Sequence, residues 1–158
     1  MEALSYKTRD KSTWGPGPWQ DEPDKMQFTD KATGMPCLIV RNHGGALCGY
    51  VGVDGSHPYY GLDYDNEALH DLSVHGGLTF SGACAKDAKE AEDICHRVQA
   101  GEDDHVWWLG FDTSHAGDLN PAPSAGHFSR AVYRDVAYVK KEIADLAKQL
   151  KAVWRIRT

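Results

Sequence analysis

Along the last part of the chain Val136, Val139, Ile143, Leu146, Leu150 and Val153 recur at alternating steps of three and four, with charged residues between them. That spacing draws an apolar stripe along one helical face and predicts a helix over residues 135–153. Asp135 is placed to cap its start, and Lys148 and Lys151 suit the negative end of its dipole. Three heptads are marginal for a coiled coil, so the stripe is expected to cover a sheet. Upstream, PCLIV (36–40) is short, apolar and partly β-branched, and LCGYVGV (47–53) alternates apolar residues with glycine. With RNHGG turning between them, the two predict an antiparallel hairpin.

Two more strand candidates are GLTFSGAC (77–84) and VWWLGFD (106–112), separated by the charged stretch KDAKEAEDICHRVQAGEDD, whose middle suits a helical turn. The segment from Asp54 to Gly77 is rich in turn formers, with one short helical candidate around Asn66 to Leu72. Gly15, Pro16, Gly17 and Pro18 make regular structure improbable before about Asp24. The expected architecture is α+β: an antiparallel sheet of four or five strands with a long C-terminal amphipathic helix packed on one face. Residues 1–22 are expected as an extended N-terminal arm and 23–158 as a single α+β domain. The arm's Trp14 and Trp19 are expected to pack on the body rather than rim a pocket, and an arm completing the site of a second copy is compatible with a homo-oligomer.

Composition narrows the function classes. At 158 residues, 41% hydrophobic and 25% charged, the chain has the profile of one globular domain, large enough for a core without disulfides. Seventeen Lys and Arg against 23 Asp and Glu give a formal charge of −6, which argues against duplex nucleic acid as a partner but leaves a small anionic or nucleotide ligand open. Cys37, Cys48, Cys84 and Cys95 form no CxxC pair, which disfavours a cysteine zinc site. The first residues are too polar for a signal peptide and no apolar run is long enough to span a membrane. A cytoplasmic protein with reduced thiols and no membrane partner is expected.

The chemistry concentrates in two places. HGG occurs twice, at His43-Gly44-Gly45 and His75-Gly76-Gly77, and paired glycines permit the positive φ or close backbone approach of a ligand-cradling turn. The plain alternative is a hairpin turn with a surface histidine. GFDTSHAGD (110–118) follows a strand and spaces Asp112, His115 and Asp118 by three. An aspartate orienting His115 as general base, a divalent metal held by Asp112, His115 and Asp118, or a simple hydrogen-bonded loop all fit that spacing.

If GLTFSG and VWWLGFD are neighbouring strands, their ends bring His75 near Asp112 and His115, with Thr79 and Ser81 positioned to touch a ligand. His75, His115, Asp112 and Asp118 are therefore the catalytic candidates. His43, Thr79, Ser81, Tyr59, Tyr60, Trp108 and Arg134 are the ligand-binding candidates: the rings for stacking on a base or sugar, and Arg134, like Arg130, for an anion. His70, His96, His105 and His127 lie in polar surroundings and take no role.

The segments TGMPCLIVRN, LCGYVGV, GSHPYYGLDYD, VHGGLTFSG, ICH, WWLGFDTSHAGD and YRDVAYVKKEIADLAKQL, in that order over about residues 23–150, resemble a family of small bacteriophage and bacterial proteins without an assigned activity. The resemblance implies a phage or prophage setting inside a bacterial host, where some small proteins cleave or sequester host nucleotide immune signals. Together with the motifs, it leads to the expectation of a small hydrolase acting on a phosphoester or nucleotide-like ligand by His/Asp acid–base or metal-assisted chemistry. The alternatives are a non-catalytic protein that sequesters such a ligand, and a protein-binding inhibitor of a host factor.

Overall fold

The computed structural model describes residues 3–85, 87–96, 105–125 and 130–157. Six strands form one antiparallel sheet: β1 (Leu4–Tyr6), β2 (Lys25–Thr29), β3 (Pro36–Arg41), β4 (Leu47–Val53), β5 (Phe80–Ala83) and β6 (Trp107–Asp112), in the order β1-β2-β3-β4-β6-β5. Among the described residues a single α-helix, α1 (Val136–Arg157), packs on one face, mainly against β4. The α+β class and the C-terminal helix stand as expected, but the sheet has six strands rather than four or five.

Side-chain alternation separates the two faces. Cys37, Ile39, Leu47, Val51, Leu109 and Phe111 meet Val139, Ile143, Leu146 and Leu150 of the stripe read from the sequence, together with Ala147 of α1. Leu38, Cys48, Tyr50 and Trp108 point to the opposite face. β4 is buried at every position because both of its faces are covered. Asp135 caps α1 by accepting the Tyr138 N–H at 2.9 Å. No helix among the described residues is long and apolar enough to cross a membrane.

The opposite face is covered in part by the segment between β5 and β6. Ile94 packs on the Leu38–Trp108 cluster, and the His96 ring lies 5.3 Å from Trp108. The fully buried Lys25 donates from Nζ to the backbone carbonyls of Glu90, Asp93 and Cys95. Cys84 and Cys95, expected as free thiols, form a disulfide, whereas Cys37 and Cys48 are free and buried. His96, expected in polar surroundings, is buried as well. In the charged stretch after Cys84, residues 89–93 make one turn, and residues 86 and 97–104 of that helical-turn expectation, with His127, lie outside the described residues.

Residues 3–22 are more ordered than their Gly and Pro content suggests. Leu4–Tyr6 pairs with Lys25–Gln27 as an edge strand. Trp14 and Trp19 are buried around Ala122, with Trp19 edge-on to Tyr133 at 5.1 Å. The segment is anchored by Asp24, whose carboxylate accepts from the Thr8 and Arg9 backbone N–H groups and pairs with Lys11 and Arg41.

Candidate functional site

Each candidate side chain is placed by a turn at a strand end. Gly76 and Gly77 have φ +68° and +81°, a pair of left-handed residues that only glycine adopts readily. Gly76 has a second constraint: a Cβ there would lie 2.2 Å from the His115 ring, so the imidazole rests directly on its backbone. Just beyond this turn the Thr79 N–H donates to the Gly110 carbonyl of β6 at 2.9 Å. That registers Thr79 beside Asp112, and its hydroxyl donates to Oδ2 at 3.0 Å. The Ser114 N–H holds the other carboxylate oxygen at 2.9 Å.

His115 follows in the same loop, its Nε2 3.2 Å from Asp112 Oδ1. The pair is close but off the line of a hydrogen bond, which leaves Nε2 buried without a partner. The ring edge carrying Nε2 faces Gly76, so Nδ1 is the nitrogen turned away from that contact, and the side chain as a whole is 35% exposed. Catalytic hydrogen bonds are often misaligned until a ligand binds, and a small rotation would close this one.

Asp118, 1% exposed at its side chain, is the hub behind His115. Oδ2 accepts from His75 Nε2 at 2.8 Å and from the His115 N–H at 3.1 Å, and Oδ1 accepts from Arg134 Nε at 2.9 Å. Burial alone would raise its pKa, but the His75, Arg134 and backbone donors outweigh it and hold the carboxyl below its ordinary value. An ionised Asp118 can only accept, so the proton shared with His75 belongs on Nε2. Nδ1 of His75 then accepts from the Tyr138 hydroxyl at 2.6 Å, and the His75 N–H donates to Glu142 at 2.8 Å. The His75 and His115 rings lie 6.0 Å apart.

The cluster opens to solvent on two sides. One is a cavity of about 500 Å³ lined by Ser114, His115, Asp118, Asn120 and Arg130, among others. The other is an open groove of about 510 Å³ that includes His75, Tyr138, Glu142, Asp145 and Lys148.

The structure therefore brings His75, Thr79, Asp112, His115, Asp118 and Arg134 together and disperses the other candidates. Trp108 is fully buried on the sheet face away from α1, and Tyr59 is buried in the core beside α1, so neither ring can stack on a ligand. Tyr60 is exposed, but its ring lies 6.2 Å from Trp107, elsewhere on the surface. Ser81 is engaged with the Tyr64 N–H, and His43 lines a separate small cavity and bonds Arg9 at 3.2 Å. Arg134 is turned to Asp118 and over the Tyr138 ring at 4.9 Å, which leaves Arg130 as the arginine that lines the cavity.

No group of three His, Cys, Asp or Glu side chains among the described residues is placed to hold a metal ion. The set Asp112, His115 and Asp118 does not fit one, because Asp118 is taken up by His75 and Arg134. Burial pushes the Cys37 and Cys48 thiols up to about 12, which keeps both as unreactive thiols.

Tyr138 and Glu142 are the site residues that sequence reasoning missed. Their signal was available: Tyr138 and Glu142 are spaced by four, one line along α1 beside the apolar stripe. No protein-family model, curated protein or solved structure matches the chain.

Proposed function

We propose that the chain is a small hydrolase acting on a phosphoester or nucleotide-like ligand, with His115 as the acid–base group. The observation that carries this reading is the Asp112–His115 pair at the edge of the 500 Å³ cavity. The carboxylate, fixed by Thr79 and Ser114, favours a proton on Nε2, which makes Nδ1 the base. A water beside Nδ1 would give up its proton as its oxygen attacks phosphorus. The imidazolium would then return that proton to the departing oxygen. Arg130 supplies positive charge in the same cavity for the anionic ligand.

His75 has a different part from the one its motif suggested. Both of its ring nitrogens are engaged, so it supports the Asp118 hub from behind instead of meeting a ligand in the His115 cavity. A sequestering protein would need exposed rings to stack on a base, and of Tyr59, Tyr60, Tyr64 and Trp108 only Tyr60 and Tyr64 are exposed, neither of them lining the His115 cavity. In the phage setting that the motif resemblance implies, host nucleotide immune signals belong to the ligand class proposed.

Incubating the pure protein with cyclic and linear nucleotides, followed by chromatography before and after heat denaturation, tests the reading. New products are expected. A nucleotide depleted from solution but recovered intact on heating would establish sequestration instead, and an unchanged panel would remove nucleotides as the ligand.

A further inference from the structure

Asp118, His75 and Tyr138 form a line of hydrogen bonds at 2.8 and 2.6 Å whose far end, the Tyr138 hydroxyl, the His115 chemistry does not use. The order is that of a nucleophile triad: a buried carboxylate fixes the histidine tautomer, and the opposite ring nitrogen accepts from a hydroxyl. Because both His75 nitrogens are occupied, the only member of this line able to meet a substrate is the Tyr138 oxygen, and Tyr138 lines the open groove. We propose that Tyr138 is a nucleophile activated by His75 and Asp118, forming a second reactive centre that takes uncharged esters.

The charge around the groove selects the substrate class. Glu142 and Asp145 line it against Lys148, which disfavours an anionic ester there. Burial, and then Glu142, hold the Tyr138 phenol above its ordinary value, so it needs a base to react near neutrality. In the step itself the phenolic oxygen bonds to the ester's carbonyl carbon as its proton passes to His75 Nδ1, and Asp118 stabilises the imidazolium. The carbon–alkoxy bond then breaks, and the leaving alkoxide takes the proton back from His75. The product is an acyl-tyrosine, which water hydrolyses with His75 again as base.

Diisopropyl phosphorofluoridate, an uncharged probe, reports this reactivity without knowledge of the substrate: the Tyr138 oxygen bonds to phosphorus, fluoride leaves, and the proton goes to His75. Peptide mass mapping of the labelled protein is expected to place the adduct on Tyr138, ahead of the more exposed Tyr60 and Tyr64. His75→Gln and Asp118→Asn, compared only if their thermal melts show a folded protein, should each slow labelling at Tyr138 by at least about 10-fold and leave Tyr60 and Tyr64 unchanged. An unlabelled protein, or adducts that follow exposure, would overturn the proposal on the wild-type chain alone. So would Tyr138 labelling that survives folded His75→Gln. None of these outcomes bears on nucleotide turnover, which rests on His115.

Discussion

Asp24→Ala is expected to destabilise the fold by about 3–5 kcal/mol, the usual cost of removing one partner from a buried charge network. The substitution would strand the Arg41 guanidinium, whose side chain is fully buried, together with Lys11 and two backbone N–H groups. Arg41 would keep its bonds to the Gly45 and Pro23 carbonyls and the Tyr133 hydroxyl, which satisfy donors without neutralising charge, and its remaining counter-charge would be the Glu22 carboxylate at 3.9 Å. Because Asp24 anchors the segment that carries Trp14 and Trp19, the loss should open that segment from the body, and urea unfolding with tryptophan fluorescence reads both effects. The same carboxylate makes the fold acid-sensitive. Burial would raise its pKa, but Lys11, the two N–H groups and Arg41 bring it below the ordinary value. Its stabilisation is therefore complete above about pH 4 and is lost as pH falls through the lower folded-state value. Asp24→Ala should flatten that part of the pH dependence.

Gly76→Ala and Gly77→Ala form a matched pair with different expected outcomes. Both positions have positive φ, so each alanine should cost about 1–2 kcal/mol of stability from backbone strain. Only at Gly76 does the new methyl meet the His115 ring, at 2.2 Å, whereas at Gly77 it would meet nothing within 4 Å. Displacing an acid–base group by about 1 Å commonly costs about 100-fold in rate. Turnover of the hydrolysed ligand should fall by about that factor in Gly76→Ala and stay near wild type in Gly77→Ala. Equal losses in the two would separate His115 placement from activity.

Regular structure was legible where local pattern decides it. The β3–β4 hairpin, β5, β6 and the stripe of α1 all follow from hydrophobic period. β1 and β2 escaped because their reasons are non-local. β1 has three residues and exists only through its pairing with β2. In β2, a lysine occupies a fully buried position because carbonyls from residues 90–95 surround its ammonium, and no local pattern reveals that. Trp108 and Tyr59 were assigned to ligand stacking on residue type, but the face on which each ring lies decides its availability, and both faces of the sheet centre are covered.

The site divides along the same line. The two motifs GLTFSG and GFDTSHAGD do lie on neighbouring strands, and this places His75 and Thr79 beside Asp112, His115 and Asp118. That both ring nitrogens of His75 are occupied depended in part on Tyr138, 63 residues away in sequence. The Cys84–Cys95 disulfide likewise had no signal in a spacing that matches no familiar motif.

Initial-rate comparison of His115→Ala with wild type, on whichever nucleotide the wild type hydrolyses, bears on the proposed chemistry most directly. A lost general base should lower the rate by about 10²–10⁴-fold. The thermal melt should change little, since the ring is partly exposed and its Nε2 makes no hydrogen bond. A folded His115→Ala protein that retains turnover within a few-fold of wild type would contradict the role of His115 and move the chemistry elsewhere in the chain.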